Sequence, residues 1–187
     1  MHMHRPSLFT ITLPVLLGYI PLGMTFGFLM VSQGIAWYIP ILFSIFVFAG
    51  AAQFLAVGLV VNHASLLDTA IATFLINLRH VFYGLSLFDF LPHTWAKRLY
   101  FMFGITDETY SLLTSSQSAT PSNALSIVAL NQSYWVAGTA IGALLATSLP
   151  PIKGIEFSLT ALFVILLVEQ IRANHETKTV AMGVLAC

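Results

Sequence analysis

Residues 8–31 read LFTITLPVLLGYIPLGMTFGFLMV. The stretch carries no charged side chain. At ~1.5 Å per residue a helix of this length exceeds the ~30 Å hydrocarbon core of a bilayer. A secretory signal has an apolar core of about half this length and a small-residue cleavage site, so the run reads as a membrane span that stays in place. Further apolar stretches long enough to cross recur at 38–61, 65–88 and 124–149, with a shorter one at 155–172. Trp37 with Tyr38, and Trp95 with Tyr100, fall where an aromatic belt is expected. Tyr134 and Trp135 lie well inside their segment and fit a belt less well.

Composition supports the same class. Of 187 residues, 58% are hydrophobic and 7% charged, against about 25% charged in a soluble domain. Seven Lys and Arg balance seven Asp and Glu, and no basic run exists to hold a nucleic acid. Cys187, the single cysteine and the last residue, cannot form an internal disulfide and is a poor candidate for a catalytic thiol. The expected fold is an all-α, polytopic membrane helix bundle, one transmembrane domain over 1–187.

Residues 99–116, LYFMFGITDETYSLLTSS, begin apolar but hold Asp107 and Glu108 side by side. This predicts an interrupted helix. Gly104 ends one piece and Thr106 caps the next, with both acids in its first turn, where the macrodipole favours negative charge. A final apolar run opens at Val180, and the expectation there is a sixth helix left incomplete at Cys187.

The chain also resembles itself. Tyr19, Gly23 and Gly27 have the spacing of Tyr134, Gly138 and Gly142, each set holding a G-x-x-x-G. Phe43-Ser44 and Phe157-Ser158 open the following apolar runs, the first holding Gln53 and the second Glu169-Gln170. Small-xxx-small pairs also occur wherever membrane helices pack closely. Repeat halves at 8–88 and 124–187, joined by 89–123, are the expectation. If 99–116 does not fully cross, the copies are inverted, as in many secondary transporters; if it crosses, they are parallel. The balance of basic residues favours inversion.

One cation sits deep in a span. Placed on a helix at about 100° per residue, residues 69–88 divide into two halves. Thr69, Thr73, Asn77, Arg79, His80, Tyr83, Gly84 and Ser86 share one. Ile71, Phe74, Leu75, Leu78, Val81, Phe82, Leu85 and Phe88 share the other. An arginine in hydrocarbon costs at least about 2.5–3.5 kcal/mol, so Arg79 is expected to point inward to a carboxylate or carbonyls. The alternative is a side chain that snorkels toward Asp89. His80 is either a packed hydrogen-bonding group or a proton carrier.

Pro21 frees the carbonyl of Leu17, which must find a partner in protein or a cavity. In FAGAAQF the small residues around Gly50 admit a neighbouring backbone or a ligand beside Gln53, and tight helix packing explains the alanines equally well. The acids of FGITDETY serve as helix-capping charges, as mid-membrane ligands, or as both. Glu169 is expected opposite Arg172.

Four motifs in order, GYIPLGMTFG at 18–27, AGAAQF at 49–54, NLRHVFYGLSL at 77–87 and FGITDETY at 103–110, resemble the AzlC family. The likeness runs through 14–142 and more loosely to 172. The resemblance implies the large subunit of a bacterial exporter of valine, leucine, isoleucine and often methionine. It implies a place in the bacterial inner membrane beside a small AzlD-type membrane subunit. No cofactor is expected. An amino acid offers a carboxylate for Arg79 and an ammonium for Asp107, Glu108 or carbonyls freed at Pro21. Tyr83, Asn77 and Gln53 complete the candidate substrate site, with Gly50 and Gly23 leaving room for a branched tail. His80 and Asp107 are the candidate proton-coupling groups. Gly138, Gly142 and Ala146 are the small-residue face expected to receive the partner subunit. The rival reading is an intramembrane enzyme using His80 with Asp107 and Glu108. Neither H-E-x-x-H nor G-x-S-x-G is present, and no repeated acidic metal motif supports it.

Overall fold

In a computed structural model of the chain, the described residues are 7–149 except Gln117, together with positions 154, 157 and 164. The expected span at 155–172, the pair Glu169 and Arg172, and the run from Val180 lie outside them. The described residues form eight α-helices and one short 3-10 turn, with no strand among them. The helices are α1 Leu8–Ser32, α2 Tyr38–Phe46, α3 Gly50–Val61, α4 Leu66–Asn77, α5 Arg79–Ser86, α6 Trp95–Phe103, α7 Asp107–Ser115 and α8 Pro121–Ser148; the 3-10 turn is Phe88–Phe90.

The starts follow local chemistry. The Ser7 and Ser65 hydroxyls accept from the amides of Thr10 and Asp68, at 3.2 and 3.1 Å, closing the first turns of α1 and α4. Pro121 opens α8, where a missing amide proton costs nothing. Gly34, at φ +83°, follows the end of α1 in the left-handed conformation that suits glycine.

The interruption at FGITDETY falls as expected: α6 ends at Phe103, Gly104 follows as its C-cap, and Thr106 caps α7 with its hydroxyl accepting from the Thr109 amide at 3.3 Å. Two expected spans are also divided. The run 38–61 is two helices, α2 and α3, because the chain leaves helical geometry at Val47–Ala49 and turns Phe48 into the core. The run 65–88 divides at Leu78. That residue keeps helical angles, but its amide reaches back only to Leu75, and Val81 only to Leu78, so the turn before Arg79 is tightened toward 3-10 geometry. Among the described residues α1 alone is long and apolar enough to cross a bilayer by itself. The 28-residue α8 has the length and carries buried Asn131 and Thr139.

These two long helices form the centre. A Cβ on Gly23 would lie 2.7 Å from the Trp135 carbonyl, and one on Gly138 would lie 2.6 Å from the Ile20 carbonyl. Gly27 faces the Thr139 carbonyl and Gly142 the Met24 carbonyl, still closer. Backbone therefore meets backbone, which only glycine permits. The contact is reciprocal and advances by four residues on both sides: Gly23 and Gly27 meet Trp135 and Thr139, and Gly138 and Gly142 meet Ile20 and Met24. Partners advance together along both helices, so α1 and α8 run parallel. The first helices of the two expected repeat halves are therefore parallel and not inverted, and the rest of the second half lies outside the described residues. The contact also corrects the expected partner face, since Gly138 and Gly142 are already covered by α1.

The outward surface is the apolar half read for residues 69–88. Ile71, Phe74, Leu75, Leu78, Val81, Phe82, Leu85 and Phe88 are all exposed. Such a surface suits lipid and not water. Trp37, Tyr38 and Trp95 are exposed as belt residues should be, whereas Tyr134 and Trp135 are core. Pro21 departs from its reading. Helix α1 runs through it unbroken, Pro21 and Leu17 face outward, and the Pro21 carbonyl accepts from the Thr25 hydroxyl at 3.0 Å.

Candidate functional site

Two of the divided segments, 65–88 and 99–116, meet at the start of α7. The Arg79 guanidinium, at the first residue of α5, donates from Nη1 to Asp107 Oδ2. The Tyr83 hydroxyl, one turn further along α5, donates to Asp107 Oδ1 at 2.6 Å, and its ring stacks on Tyr110 with centroids 4.5 Å apart. Asp107 thus has both oxygens occupied, one by a charge. With side-chain exposures of 34% and 40%, the ion pair remains within reach of a mobile ligand. Arg79 does not snorkel toward Asp89. Its Nε is buried and has no acceptor among the described residues, a donor left over in a side chain that has five and can accept nothing.

The second acid has different company. Glu108 Oε2 accepts from the Tyr19 hydroxyl at 2.7 Å, and that hydroxyl also lies 2.5 Å from Thr106 Oγ1. Tyr19 sits halfway along α1, buried edge-on against Phe48 and Trp135. Thr106 in turn bonds Thr109 Oγ1 at 3.1 Å, and Asn131 Nδ2 of α8 donates to the same Thr109 oxygen at 2.9 Å. Thr109 and Asn131 are fully buried.

An apolar cleft of about 290 Å³ is lined by His80, Val81 and Gly84 of α5, Met102 of α6, and Ile105 in the break; the residues of the ion pair do not line it, but His80 and Ile105 are their near neighbours in sequence. His80 places Nδ1 3.0 Å from the carbonyl of Asn77, the last residue of α4, and lines this cleft.

Arg79, Tyr83, Asp107 and Glu108 therefore converge, with His80 at the edge. Four other expected residues are engaged elsewhere. Asn77 donates back to the Thr73 carbonyl at 2.9 Å. Gln53 is fully buried with both ends of its amide used, Nε2 donating to Ser44 at 3.3 Å and Oε1 accepting from the Trp135 indole at 2.6 Å. Gly50 packs on that indole and Gly23 on the α8 backbone, so the room expected for a branched tail is filled by protein at both. Pro21, on the outer face, makes a fifth. For Gln53, Gly50 and Gly23 the reason is shared: small or amide-bearing residues in a bilayer satisfy helix packing first. Tyr19, Thr109, Tyr110 and Asn131 were not among the expected site residues. A tyrosine and an asparagine inside apolar helices were the available signal. Among the described residues no three His, Cys, Asp or Glu side chains group as metal ligands do.

A charged pair at paired helix breaks, inside a helical bundle with an apolar exterior, defines a polytopic membrane protein with a polar interior site. A family model described as AzlC protein matches residues 14–149. Three relatives extend the likeness. An uncharacterized membrane protein of Helicobacter pylori (strain ATCC 700392 / 26695) is 35% identical, over 93% of this chain and 78% of its own length. The branched-chain amino acid transport protein AzlC of Bacillus subtilis (strain 168) is 33% identical, over 88% of this chain and 66% of its own. Inner membrane protein YgaZ of Escherichia coli (strain K12) is 29% identical, over 81% and 67%. No solved structure matches the chain. The chain belongs to the AzlC family and is a membrane protein.

Proposed function

We propose that the chain exports branched-chain amino acids, as the large subunit of a transporter completed by a small AzlD-type membrane subunit. The observation that carries this reading is the Arg79–Asp107 pair, placed where two divided segments meet, the same two segments that line an apolar cleft at His80 and Ile105. Its chemistry matches a zwitterion with a branched tail. The amino acid inserts between the partners, its carboxylate taking the Arg79 fork, including the spare Nε, and its ammonium taking Asp107. Tyr83 holds Asp107 in line during the exchange, and the cleft between His80 and Met102 receives the tail. The name of the Bacillus relative supports the substrate class. The rival enzyme needs His80 beside an acid, yet His80 Nδ1 is turned to Asn77 and Asp107 is engaged by Arg79 and Tyr83.

The test is efflux of labelled leucine, valine and methionine from cells with and without the gene and its small neighbour, beside Arg79→Ala. Loss of efflux in both the deletion and the variant is expected. Efflux that persists with Arg79→Ala would remove the substrate role of the pair, and a chemically altered product would favour the enzyme.

A further inference from the structure

Asp107 and Glu108 are neighbours on α7, but their partners impose different protonation chemistry. Arg79 is donor-only, so it suits Asp107 solely as a carboxylate. Glu108 has no cation within ion-pair distance among the described residues. Its buried partner, the Tyr19 hydroxyl, both donates and accepts. The next group inward, the Thr106 hydroxyl, does the same, and so does Thr109 beyond it.

This line of hydroxyls fits both states of Glu108. With the acid ionised, Tyr19 donates to Glu108 and Thr106 turns its proton from Thr109 to Tyr19. With the acid neutral, Glu108 donates to Tyr19, Tyr19 to Thr106 and Thr106 to Thr109. Glu108 and Tyr19 keep their bond in both states, and the Thr106 hydroxyl changes partner. The line does not close on protein: at its inner end Asn131 Oδ1 is fully buried and has no donor among the described residues, an acceptor that a water or another proton donor completes. At its outer end Glu108 is exposed at the protein surface and is not enclosed by the described residues.

We propose that Glu108 is the proton-carrying carboxylate of the transport cycle, taking up one proton for each amino acid released, with Tyr19 and Thr106 holding it in both charge states. This rests on the transport reading above. When ionised, Glu108 adds its charge to that of Asp107 one residue away and strengthens the hold on an ammonium. When an O–H bond forms on Glu108 the added attraction is gone and the amino acid leaves; the proton departs on the opposite side before the next cycle. Among the described residues the surrounding elements contribute few other titratable or charged groups: Asp107 and Tyr110 on α7, Arg79, His80 and Tyr83 on α5, Tyr19 on α1, and Tyr134 on α8, which is bonded to Thr12. Neither α3 nor the inner part of α2 contributes any.

The full transporter in liposomes tests this with two readouts. Counterflow of labelled leucine at equal pH measures binding and exchange. Accumulation of leucine by vesicles acidic inside, with the membrane potential clamped at zero, measures proton antiport. Wild type should do both. Glu108→Gln should lower the ratio of gradient-driven accumulation to counterflow at least tenfold. Tyr19→Phe, which keeps the ring in its packing, should lower it severalfold, and it decides the matter if Glu108→Gln does not reach the membrane. The proposal is overturned if the ratio is unchanged in these variants, or if it collapses in His80→Gln instead. Wild type that exchanges leucine without responding to the pH gradient overturns it as well, while leaving the transport reading intact. Wild type that exchanges no leucine overturns both.

Discussion

The contact between α1 and α8 allows a sharp stability test through two glycines on different faces. An alanine Cβ at position 138 would lie 2.6 Å from the Ile20 carbonyl oxygen and 3.1 Å from that of Tyr19, where ordinary contact begins at 3.4 Å. The backbones must therefore separate by about 0.8 Å, the difference between 3.4 and 2.6. Overpacking of this kind costs roughly 1–3 kcal/mol. Gly18, one residue before Tyr19, has nothing within 4 Å of its own Cβ position. Gly18→Ala should thus stay within about 0.5 kcal/mol of wild type. At roughly 2–4 °C per kcal/mol for a chain of this size, Gly138→Ala should lower the melting temperature of the detergent-purified protein by about 2–12 °C. The same separation draws Tyr19 from Glu108, so gradient-driven transport should fall alongside stability. A Gly138→Ala protein as stable as wild type, or a Gly18→Ala protein equally weakened, would refute the backbone-to-backbone account.

Three further outcomes follow from single contacts. Arg79→Lys keeps the charge but loses the planar fork and the spare Nε, and leucine efflux should drop about tenfold, equivalent to ~1.4 kcal/mol; efflux at the wild-type rate would show that a point charge suffices. Thr106→Val removes the cap of α7 and should cost about 0.5–2 kcal/mol in thermal stability, with Thr106→Ser recovering most of it. Trp135→Phe leaves the buried Gln53 Oε1 without its donor at 2.6 Å, a loss of about 1–3 kcal/mol. Adding Gln53→Leu to that variant should restore part of the loss, and no recovery in the double variant would mean that the bond is not what the tryptophan contributes.

What the sequence disclosed depended on contrast between neighbouring residues. The break before Asp107 was legible because a glycine, a capping threonine and two acids interrupt an apolar run, and each has a local reason to stop or start a helix. The lipid-facing half of 69–88 was legible because its polar residues recur with helical period. The break at Val47–Ala49 was not, since it lies in apolar sequence where periodicity carries no phase, and the one at Leu78 was not, since the helical period of the polar residues continues through it. Pro21 misled for the opposite reason, as a strong local signal that a helix exposed on that side absorbs. At the site, Arg79 and Asp107 announced themselves by charge. Gln53 was harder to read, because a buried amide serves packing and binding with the same atoms, and the Trp135 indole that engages its carbonyl lies 82 residues away in sequence.

The pairing of α1 with α8 also has a consequence for how the protein is made. Thr12 and Tyr134, 2.9 Å apart in the finished bundle, are separated by 122 residues of chain. At the ~5–20 residues per second of synthesis, the first helix waits about 6–24 s in the translocation machinery or the bilayer before its partner emerges. Throughout that interval Gly23 and Gly27 present bare backbone with nothing to cover it, while α2 to α7 are threaded beside them. A ribosome-arrested chain ending before Pro121 should thus remain open to cross-linking from lipid or insertase along the glycine face of α1, and a chain extended past Ser148 should be closed to it.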